Sequence, residues 1–317
     1  SSSNYSLSYV AGNYTIVPAD TLLVKVAAVT TTYGSSPNYS GKVTAQYLRS
    51  GNILVDLTPG ISNSDISVDD GAGTTANFTL RGLGVTTSSS GKANVGQYNI
   101  EASNTIVNGT NFSNNLVVTG SLKINPLTLT ATDLVSGVSK TYDGNDRITN
   151  IPLNISGSGV LTNDVIGVTG LGRFSATSNV GSSLAVNIDL SLTGADKGNY
   201  ALNTSTLTAN IGQINQLNSV TYVGQTGGSW SDAANWAGGA IPTLSNVANV
   251  VIPSGVSVKY DHVSLGANAP SSGVLFENNG VLVINESSSY TLANNISGAG
   301  SVTQSGTGLL TMSGNNT

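Results

Sequence analysis

The sequence predicts an all-β protein in which tandem small β modules precede the start of a parallel β-helix, a solenoid. Three observations predict this fold class. Apolar residues alternate with polar ones, long stretches of the chain repeat one another, and the last third carries short apolar bursts between polar turns. No stretch shows the spacing of apolar residues that is typical of a helix.

The alternation predicts strands with one buried and one solvent-facing side. Val186, Ile188 and Leu190 alternate with polar residues, and residues 116–124 keep a single phase through Gly120. Clusters of Gly, Asn, Asp and Ser separate such runs and predict turns.

Internal repeats predict the modules. An Asn-aromatic pair followed by a strand ending in Ile occurs three times, starting at Asn4, Asn111 and Asn199. Two copies end in proline, and a Thr-Tyr turn follows each proline after 15 or 16 positions. These residues are Pro18 before Tyr33 and Pro126 before Tyr142. The tripeptide Asn-Val-Gly recurs at residues 94–96 and 179–181. We interpret the two tyrosines as structural anchors of their turns.

The phase of the repeat predicts four segments. Residues 1–18 are expected to be the end of a preceding module, residues 19–126 one complete module and residues 127–217 a second. Both modules are expected to be sandwich-like or β-grasp-like. In residues 218–317, short strands, tight turns and a spacing of roughly 20 residues predict the coils of a parallel β-helix, where stacked Asn side chains can form ladders.

Composition excludes several function classes. Only 9% of the 317 residues are charged, the net charge is −5, and the 11 basic residues form no cluster, so nucleic-acid binding is not expected. No run approaches about 18 apolar residues, which argues against membrane insertion of this segment. The chain has no Cys and begins at Ser1, so we expect it to be part of a longer, exported protein held together without disulfides.

Three stretches resemble known families of secreted bacterial proteins. Thr141-Tyr142-Asp143-Gly144, with LTGADKGNY from Leu192, resembles the YDG module of large exoproteins. Thr32-Tyr33-Gly34 with Pro37 resembles the related MBG module, and the tail from Asn294 is similar to the repeat of autotransporter β-helix passengers. The resemblance implies an adhesin of the filamentous-haemagglutinin or autotransporter type, secreted to the bacterial cell surface and associated with the outer membrane.

Two sets of residues are candidates for binding. Trp230 and Trp236 are exposed-ring candidates for stacking on sugars, although they are also suited to plug the open end of the solenoid core. Asp143, Asn145 and Asp146 lie in one turn and carry the hard oxygen ligands that calcium prefers. Asp69 and Asp70 form a similar pair beside Gly71. The alternative for both acidic turns is that their side chains bind backbone amides.

No enzymatic activity is expected. His262 is the only His, it follows Val258 and Tyr260 in strand phase, and no G-x-S-x-G motif accompanies it. Few carboxylates follow residue 200, and no two share the short motif of a glycoside hydrolase.

The expected function is that of a non-catalytic stalk or spacer within a surface-exported adhesin. Its partners would be polysaccharide, the surface of a host or bacterial cell, or other copies of itself, in adhesion or biofilm formation. No cofactor is expected apart from the calcium considered above. Two alternatives remain: a lectin-like carbohydrate-binding module, and a β-helix polysaccharide lyase or hydrolase.

Overall fold

The computed structural model describes residues 20–49, 51, 53–112, 116–156 and 158–317. Strands dominate these ranges, and their one α-helix is the single turn α1 (His262–Leu265), so the all-β prediction is confirmed. None of their helices is long and apolar enough to cross a membrane. The predicted end of a preceding module, residues 1–18, lies outside the described residues.

The chain divides into two compact units. Unit 1 holds the described residues up to Leu129, together with Gly159–Ile166 and Thr193–Ala201. Unit 2 holds Thr130–Ser158, Gly167–Leu192 and Leu202–Thr317. Two short segments from the middle of the chain therefore belong to unit 1, although the residues around them belong to unit 2.

In the described part of unit 1, ten strands form two sheets. The strands are β1 (Leu22–Val26), β2 (Val29–Thr32), β3 (Val43–Arg49), β4 (Ile53–Leu57), β5 (Gly60–Ser62), β6 (Asp65–Asp69), β7 (Thr75–Gly82), β8 (Gly96–Asn108), β9 (Val117–Thr119) and β10 (Ser121–Asn125). One sheet has the order β4-β3-β1-β9 and the other β2-β10-β8-β7-β6-β5. The next strand, β11 (Leu127–Leu129), pairs with β16 (Tyr200–Leu202).

Two of the crossings between these sheets, from β1 to β2 and from β9 to β10, lie side by side. β1 pairs in parallel with β9, and β2 pairs in parallel with β10. Gly120 separates β9 from β10, and a Cβ there would lie 2.7 Å from the carbonyl oxygen of Val26. The run at 116–124, predicted to keep one phase, is therefore split between two sheets, and the close approach at this crossing requires glycine.

The core of unit 1 follows from the alternation of apolar residues. In β7, Ala76, Phe78 and Leu80 are buried, while Asn77 and Arg81 face solvent. A strand with this pattern buries one side against the rest of the unit, and each large aliphatic or aromatic side chain buried contributes about 1.5–3 kcal/mol.

Unit 2 begins with a five-stranded sheet of order β12-β17-β15-β14-β13. Its strands are β12 (Val138–Thr141), β13 (Arg147–Ile148), β14 (Gly167–Phe174), β15 (Gly181–Thr193) and β17 (Thr206–Asn215). Val186, Ile188 and Leu190 are buried in β15, as their alternation predicts. β12 pairs with β17 in parallel, as β2 pairs with β10 in unit 1.

The C-terminal part of unit 2 consists of three sheets whose strands pair in parallel. The strands are β18 (Leu217–Thr221), β19 (Gly228–Ser229), β20 (Val247–Ile252), β21 (Ser257–Tyr260), β22 (Leu275–Asn278), β23 (Val281–Ile284), β24 (Tyr290–Leu292), β25 (Ile296–Ser297), β26 (Ser301–Gln304) and β27 (Leu310–Met312). The sheet orders are β18-β20-β22-β25, β19-β21-β23-β26 and β24-β27. Within each sheet, neighbouring strands come from successive passes of the chain, so each pass lies beside the one before it.

The last passes follow a constant repeat. Leu282 pairs with Val302 and Tyr290 pairs with Leu310, in each case twenty positions later in the sequence. The Asn side chains of this region do not form the expected side-chain ladder. Asn278 donates instead to the carbonyl of Ser301, and Asn294 to the carbonyls of Ser271 and Val274. These amides tie one pass to the next through backbone acceptors.

Candidate functional site

The two tryptophans predicted to face either sugar or the core are buried. Trp230 is 0% exposed and Trp236 1% exposed. Their rings meet at 4.8 Å, and Trp230 packs against Tyr260 and Phe276 at 5.0 and 5.1 Å. The indole N–H of Trp230 donates to the carbonyl of Pro242 at 2.9 Å, which satisfies its donor inside the core. Both rings are therefore core side chains, and neither ring offers a free face.

The acidic turn predicted as a calcium site surrounds a lysine. The ammonium of Lys140 lies 2.5 Å from Asp143 Oδ1 and donates to the side-chain oxygen of Asn145 at 3.1 Å. It also donates to the backbone carbonyls of Asn145 and Arg147, each at 3.0 Å. Asp146 faces away from this cage and pairs with Arg173 at 3.3 Å. The oxygen atoms that a cation would need are bound to Nζ of Lys140.

The carboxylates of the second acidic turn bind backbone amides. Asp69 accepts from the amide of Gly71, and Asp70 accepts from the amides of Ala72 and Thr74, all at 2.8 Å. This is the Asx-turn arrangement given above as the alternative to metal binding. Within the described ranges, no group of three or more His, Cys, Asp or Glu side chains is placed to hold a metal ion.

His262 does not continue the strand before it, contrary to the phase argument. Asp261 caps α1 by accepting from the amides of Val263 and Ser264, so His262 becomes the first residue of the helical turn. The imidazole stacks on the ring of Tyr290 at 4.4 Å, and the amide of His262 donates to the buried carboxylate of Glu286 at 2.5 Å. Asp261 accepts from the hydroxyl of Ser264, so its carboxylate is occupied by the cap.

The most distinctive polar site in unit 1 is built on a buried asparagine. The side-chain oxygen of Asn199 accepts from the amide of Val95 at 2.9 Å, and its Nδ2 donates to Asn94 Oδ1 at 2.8 Å. Asn199 is only 5% exposed. One amide group thus bridges two consecutive residues of a distant segment. We call this set of three residues the first asparagine clamp.

A tyrosine and a carboxylate lie in the same region of unit 1. The hydroxyl of Tyr33 donates to Asp164 Oδ2 at 2.5 Å, and the hydroxyl of Tyr200 donates to the same oxygen at 2.6 Å. The amide of Ser90 donates to Asp164 Oδ1 at 2.9 Å, and the rings of Tyr33 and Tyr200 meet edge to face at 5.3 Å. Asp196 accepts from the amides of Ser89 and Val165. Both carboxylates therefore join residues 88–90 to the segment around residue 164.

These contacts determine the charge state of the cluster. Burial alone would raise the pKa of Asp164, but hydrogen bonds from Tyr200, Tyr33 and Ser90 stabilise the carboxylate and lower the pKa to about 2. Burial raises the pKa of Tyr200, and the hydrogen bond to Asp164 raises it further. The backbone hydrogen bond from Val165 lowers the pKa of Asp196. The carboxylates are thus ionised and the phenols neutral over a wide pH range.

Unit 2 contains the same clamp. The side-chain oxygen of Asn246 accepts from the amide of Val180 at 2.7 Å, and its Nδ2 donates to Asn179 Oδ1 at 2.7 Å. Asn246 is 1% exposed and also donates to Thr243 Oγ1. We call Asn179, Val180 and Asn246 the second asparagine clamp. The Asn-Val pair comes from the repeated Asn-Val-Gly in both clamps, and the bridging Asn comes from a later segment of the chain.

The tyrosines of the Thr-Tyr turns also correspond. The amide of Tyr33 donates to the carbonyl of Asn125, and that of Tyr142 donates to the carbonyl of Asn215, at 2.8 and 2.9 Å. Each backbone is thereby fixed to the last residue of β10 or β17. The hydroxyl of Tyr142 then reaches the carbonyl of Ile241 at 2.8 Å. Both tyrosines anchor their turns, and each hydroxyl also bonds to a distant segment, at Asp164 for Tyr33 and at Ile241 for Tyr142.

One cavity in unit 1 contains a buried polar group without a partner. The cavity measures about 490 Å³ and lies beside Leu80, Leu122 and Ile124. Tyr39 also lines it, and Tyr39 is 0% exposed. Among the described residues, its hydroxyl finds no hydrogen-bond partner. The polar part of the wall includes Ser35, Ser64, Arg81, Lys92 and Glu101.

Part of each clamp is visible as a repeat in the sequence. The Asn-Val-Gly repeat and the Asn-aromatic repeat are visible in the sequence, but nothing in their spacing pairs Asn94 with Asn199. Asn246 belongs to neither repeat, and it precedes Val247 at the start of a strand. Both clamps share one sequence pattern, an Asn directly before a strand together with an Asn-Val-Gly earlier in the chain.

The comparisons with known proteins identify one part of the chain. A YDG domain is found at residues 125–209. No match was found among curated proteins or among solved structures. The matched residues run from the last residue of β10 into the first part of β17, and they contain Tyr142, Asn179 and Asn199.

Proposed function

We propose that this chain is a non-catalytic segment of a large bacterial surface-exported adhesin, in which it acts as a stalk or spacer. The observation that carries the proposal is the recurrence of the asparagine clamp. Asn199 in unit 1 and Asn246 in unit 2 bind an Asn-Val pair with the same donors and acceptors. A contact repeated along the chain with constant geometry is what a spacer needs to connect successive modules firmly.

The physical case rests on burial and on paired hydrogen bonds. Each clamp amide uses both its oxygen and its nitrogen, so displacing the segment breaks two bonds together. A net hydrogen bond contributes about 0.5–1.5 kcal/mol, but leaving its buried donor or acceptor without a partner costs about 1–3 kcal/mol. Displacement of a clamped segment therefore carries a penalty large enough to keep it in place nearly all of the time.

The finer architecture belongs to the same proposal. The three parallel sheets of residues 217–312, with pairing at intervals of twenty residues, support a parallel β-helix that begins near Trp230. The mixed sheets of residues 22–125 support an MBG-like module, sandwich-like or β-grasp-like, before the YDG domain. Neutral polar surfaces and the absence of Cys support export to the cell surface, and contact with polysaccharide in adhesion or biofilm formation is part of the proposal.

Mechanical stretching tests the spacer role. The chain is tethered by its two ends and pulled at constant speed. We expect that the native chain does not extend before its first β-sheet unfolds. In the Asn199→Ala and Asn246→Ala variants we expect an additional extension before that unfolding. Asn99→Ala, which alters an exposed Asn of β8, is the matched control. Early extension of the unaltered chain would refute the spacer role.

A second candidate function, a carbohydrate-binding module, is favoured by the cavity beside Tyr39. The aliphatic floor suits the C–H face of a pyranose ring, and the polar wall with Ser35, Ser64 and Arg81 suits its hydroxyls. Trp230 and Trp236 are not part of this proposal because both are buried.

An NMR titration with a panel of neutral and acidic oligosaccharides tests this candidate. A binding sugar is expected to shift the amide signals of residues 80–82 and 122–124. Ser64→Ala is expected to weaken that binding, whereas Ser62→Ala, at an exposed serine outside the cavity lining, is the control. Absence of shifts with every sugar would exclude the cavity as a carbohydrate site.

A further inference from the structure

We propose that residues 70–74 and 108–112 of unit 1 form a docking face for another module of this kind, through that module's Asn-Val-Gly and Thr-Tyr turn. The inference rests on the proposed spacer function and names its next partner. It follows from a comparison of two pairs of loops in unit 1. The first pair is residues 70–74 with 108–112, and the second is residues 162–166 with 193–200.

The two turns that begin these pairs have matching backbones. Gly71 has φ +66° and Asn163 has φ +75°, so both adopt the left-handed conformation. In each case a strand begins four positions later, β7 at Thr75 and β14 at Gly167. Asn is the non-glycine residue best suited to this conformation, which explains why the two positions differ in sequence.

The loops that pack on these turns also match. Gly109 has φ +105° and Gly194 has φ +97°. A Cβ on Gly109 would lie 2.6 Å from the carbonyl oxygen of Gly73, and one on Gly194 would lie 2.3 Å from that of Val165. Gly73 and Val165 occupy equivalent places, two residues after Gly71 and Asn163. Both loops therefore approach the preceding turn at the same point and at a distance only glycine allows.

The side chains that follow repeat as well. After Gly109 come Asn111 and the buried Phe112, and after Gly194 come Asn199 and the buried Tyr200. Asn199 is the bridging residue of the first asparagine clamp. Asn111 donates its Nδ2 to Asp70 Oδ2 at 2.7 Å. Its Oδ1 corresponds to the acceptor that Asn199 offers to the amide of Val95.

The two loop pairs differ in the position of their carboxylate. Ala72 stands where the second loop pair has Asp164, and the nearest carboxylate of the first pair is that of Asp70. Unit 2 shows that this position varies, because the hydroxyl of Tyr142 reaches a backbone carbonyl, that of Ile241. The bridging Asn is common to both clamps, so Asn111 is the residue that identifies the face.

The occupant follows from what the existing clamps hold. Both hold an Asn-Val pair that directly precedes a long strand, β8 or β15. The docking face is therefore expected to take the same end of a further module. Residues 4–18 repeat the closing pattern of residues 111–126, from an Asn-aromatic pair to an Ile near a final Pro, and so belong in sequence to such a module.

A tandem protein tests the inference. A second copy of residues 19–126 is inserted ahead of residue 19 in the full chain, and only the inserted copy carries ¹⁵N. The measured quantity is the exchange rate of the Val95 amide in the inserted copy. We expect Asn111→Ala in the original copy to speed this exchange at least tenfold, because it removes the acceptor. Asn99→Ala, at an exposed Asn of β8 outside the docking face, is the matched control and is expected to leave the rate unchanged.

Two results would overturn the inference. One is an exchange rate for that Val95 amide that does not respond to Asn111→Ala. The other is an inserted copy that stays unfolded, since docking should stabilise it. Neither result bears on the spacer role, which is tested by stretching the original chain with its two existing clamps. The docking face and the spacer function can therefore fail separately.

Discussion

The backbone amide of Val180 donates to the side-chain oxygen of Asn246 at 2.7 Å, although sixty-six positions separate the two residues. Val95 and Asn199 make the same bond in unit 1 at 2.9 Å. In both cases the bridging amide also donates to the Asn that precedes the Val. The repeat visible in the sequence is therefore one half of a contact, and the other half is supplied by a later segment.

Removal of the second clamp is expected to destabilise unit 2. Asn246→Ala removes the hydrogen bonds of a buried side chain to the amide of Val180 and to the side chain of Asn179, at a cost of about 1–3 kcal/mol. Urea unfolding followed by circular dichroism measures the change. Asn210→Ala, at an exposed Asn of β17, should change the free energy of unfolding by less than about 0.5 kcal/mol. Equal effects of the two substitutions would contradict the clamp.

Acid is expected to weaken the Asp164 cluster in a defined pH window. The pKa of Asp164 is about 2 in the folded chain, below its ordinary value of 3.8. A lowered pKa contributes stability that is fully present above the unfolded value and is lost as pH falls towards the folded value. The contribution should therefore disappear between about pH 4 and pH 2.

Unfolding of the native chain and of Asp164→Asn, compared at pH 6 and pH 2.5, measures this contribution. Asp164→Asn is expected to destabilise the chain at pH 6 and to have a smaller effect at pH 2.5. Asp133→Asn, at an exposed carboxylate of unit 2, is the control for general acid effects. A deficit of Asp164→Asn that is equally large at both pH values would show that its carboxylate does not carry the effect.

The acidic turn at residues 143–146 is expected to be indifferent to calcium. Lys140 already binds the oxygen atoms of Asp143 and Asn145, so a cation would have to displace the ammonium. The melting temperature should be the same in calcium and in chelator. Lys140→Met should lower stability by about 1.5–3 kcal/mol, since it removes charge-assisted hydrogen bonds, whereas Lys259→Met at an exposed site should be nearly neutral. A higher melting temperature of the native chain in calcium would restore the metal hypothesis.

The tryptophans are expected to behave as core residues. Trp230 and Trp236 are the only two in the chain, so its fluorescence reports on this site alone. The emission should be blue-shifted and poorly quenched by acrylamide. Trp230→Ala should cost about 3–5 kcal/mol, and Val263→Ala at an exposed site should cost little. Emission at the wavelength of free tryptophan would place the rings in solvent and reopen their role in sugar binding.

Local patterning predicts the strands of this chain better than their partners. Val186, Ile188 and Leu190 alternate with polar residues, and β15 forms where that alternation indicates. The run through Gly120 shows the limit, because alternation does not reveal that the chain changes sheets where glycine permits close approach. His262 shows another, because the cap formed by Asp261 overrides the strand phase.

The sites were less predictable for a related reason. Asp143 and Asn145 have the ligand chemistry of calcium, and only the position of Lys140 shows that their oxygens are bound. Trp230 and Trp236 suit either a surface or a core, and burial decides between these roles. The clamps depend on contacts between residues about 66 to 105 positions apart, which no local pattern encodes.

Hydrogen exchange at two backbone amides tests the clamps most directly. The amides of Val95 and Val180 are measured by NMR in the native chain, in Asn199→Ala and in Asn246→Ala. We expect slow exchange of both amides in the native chain, faster exchange of Val95 alone in Asn199→Ala, and faster exchange of Val180 alone in Asn246→Ala. Rapid exchange of both amides in the native chain, or rates that neither substitution changes, would contradict the clamps.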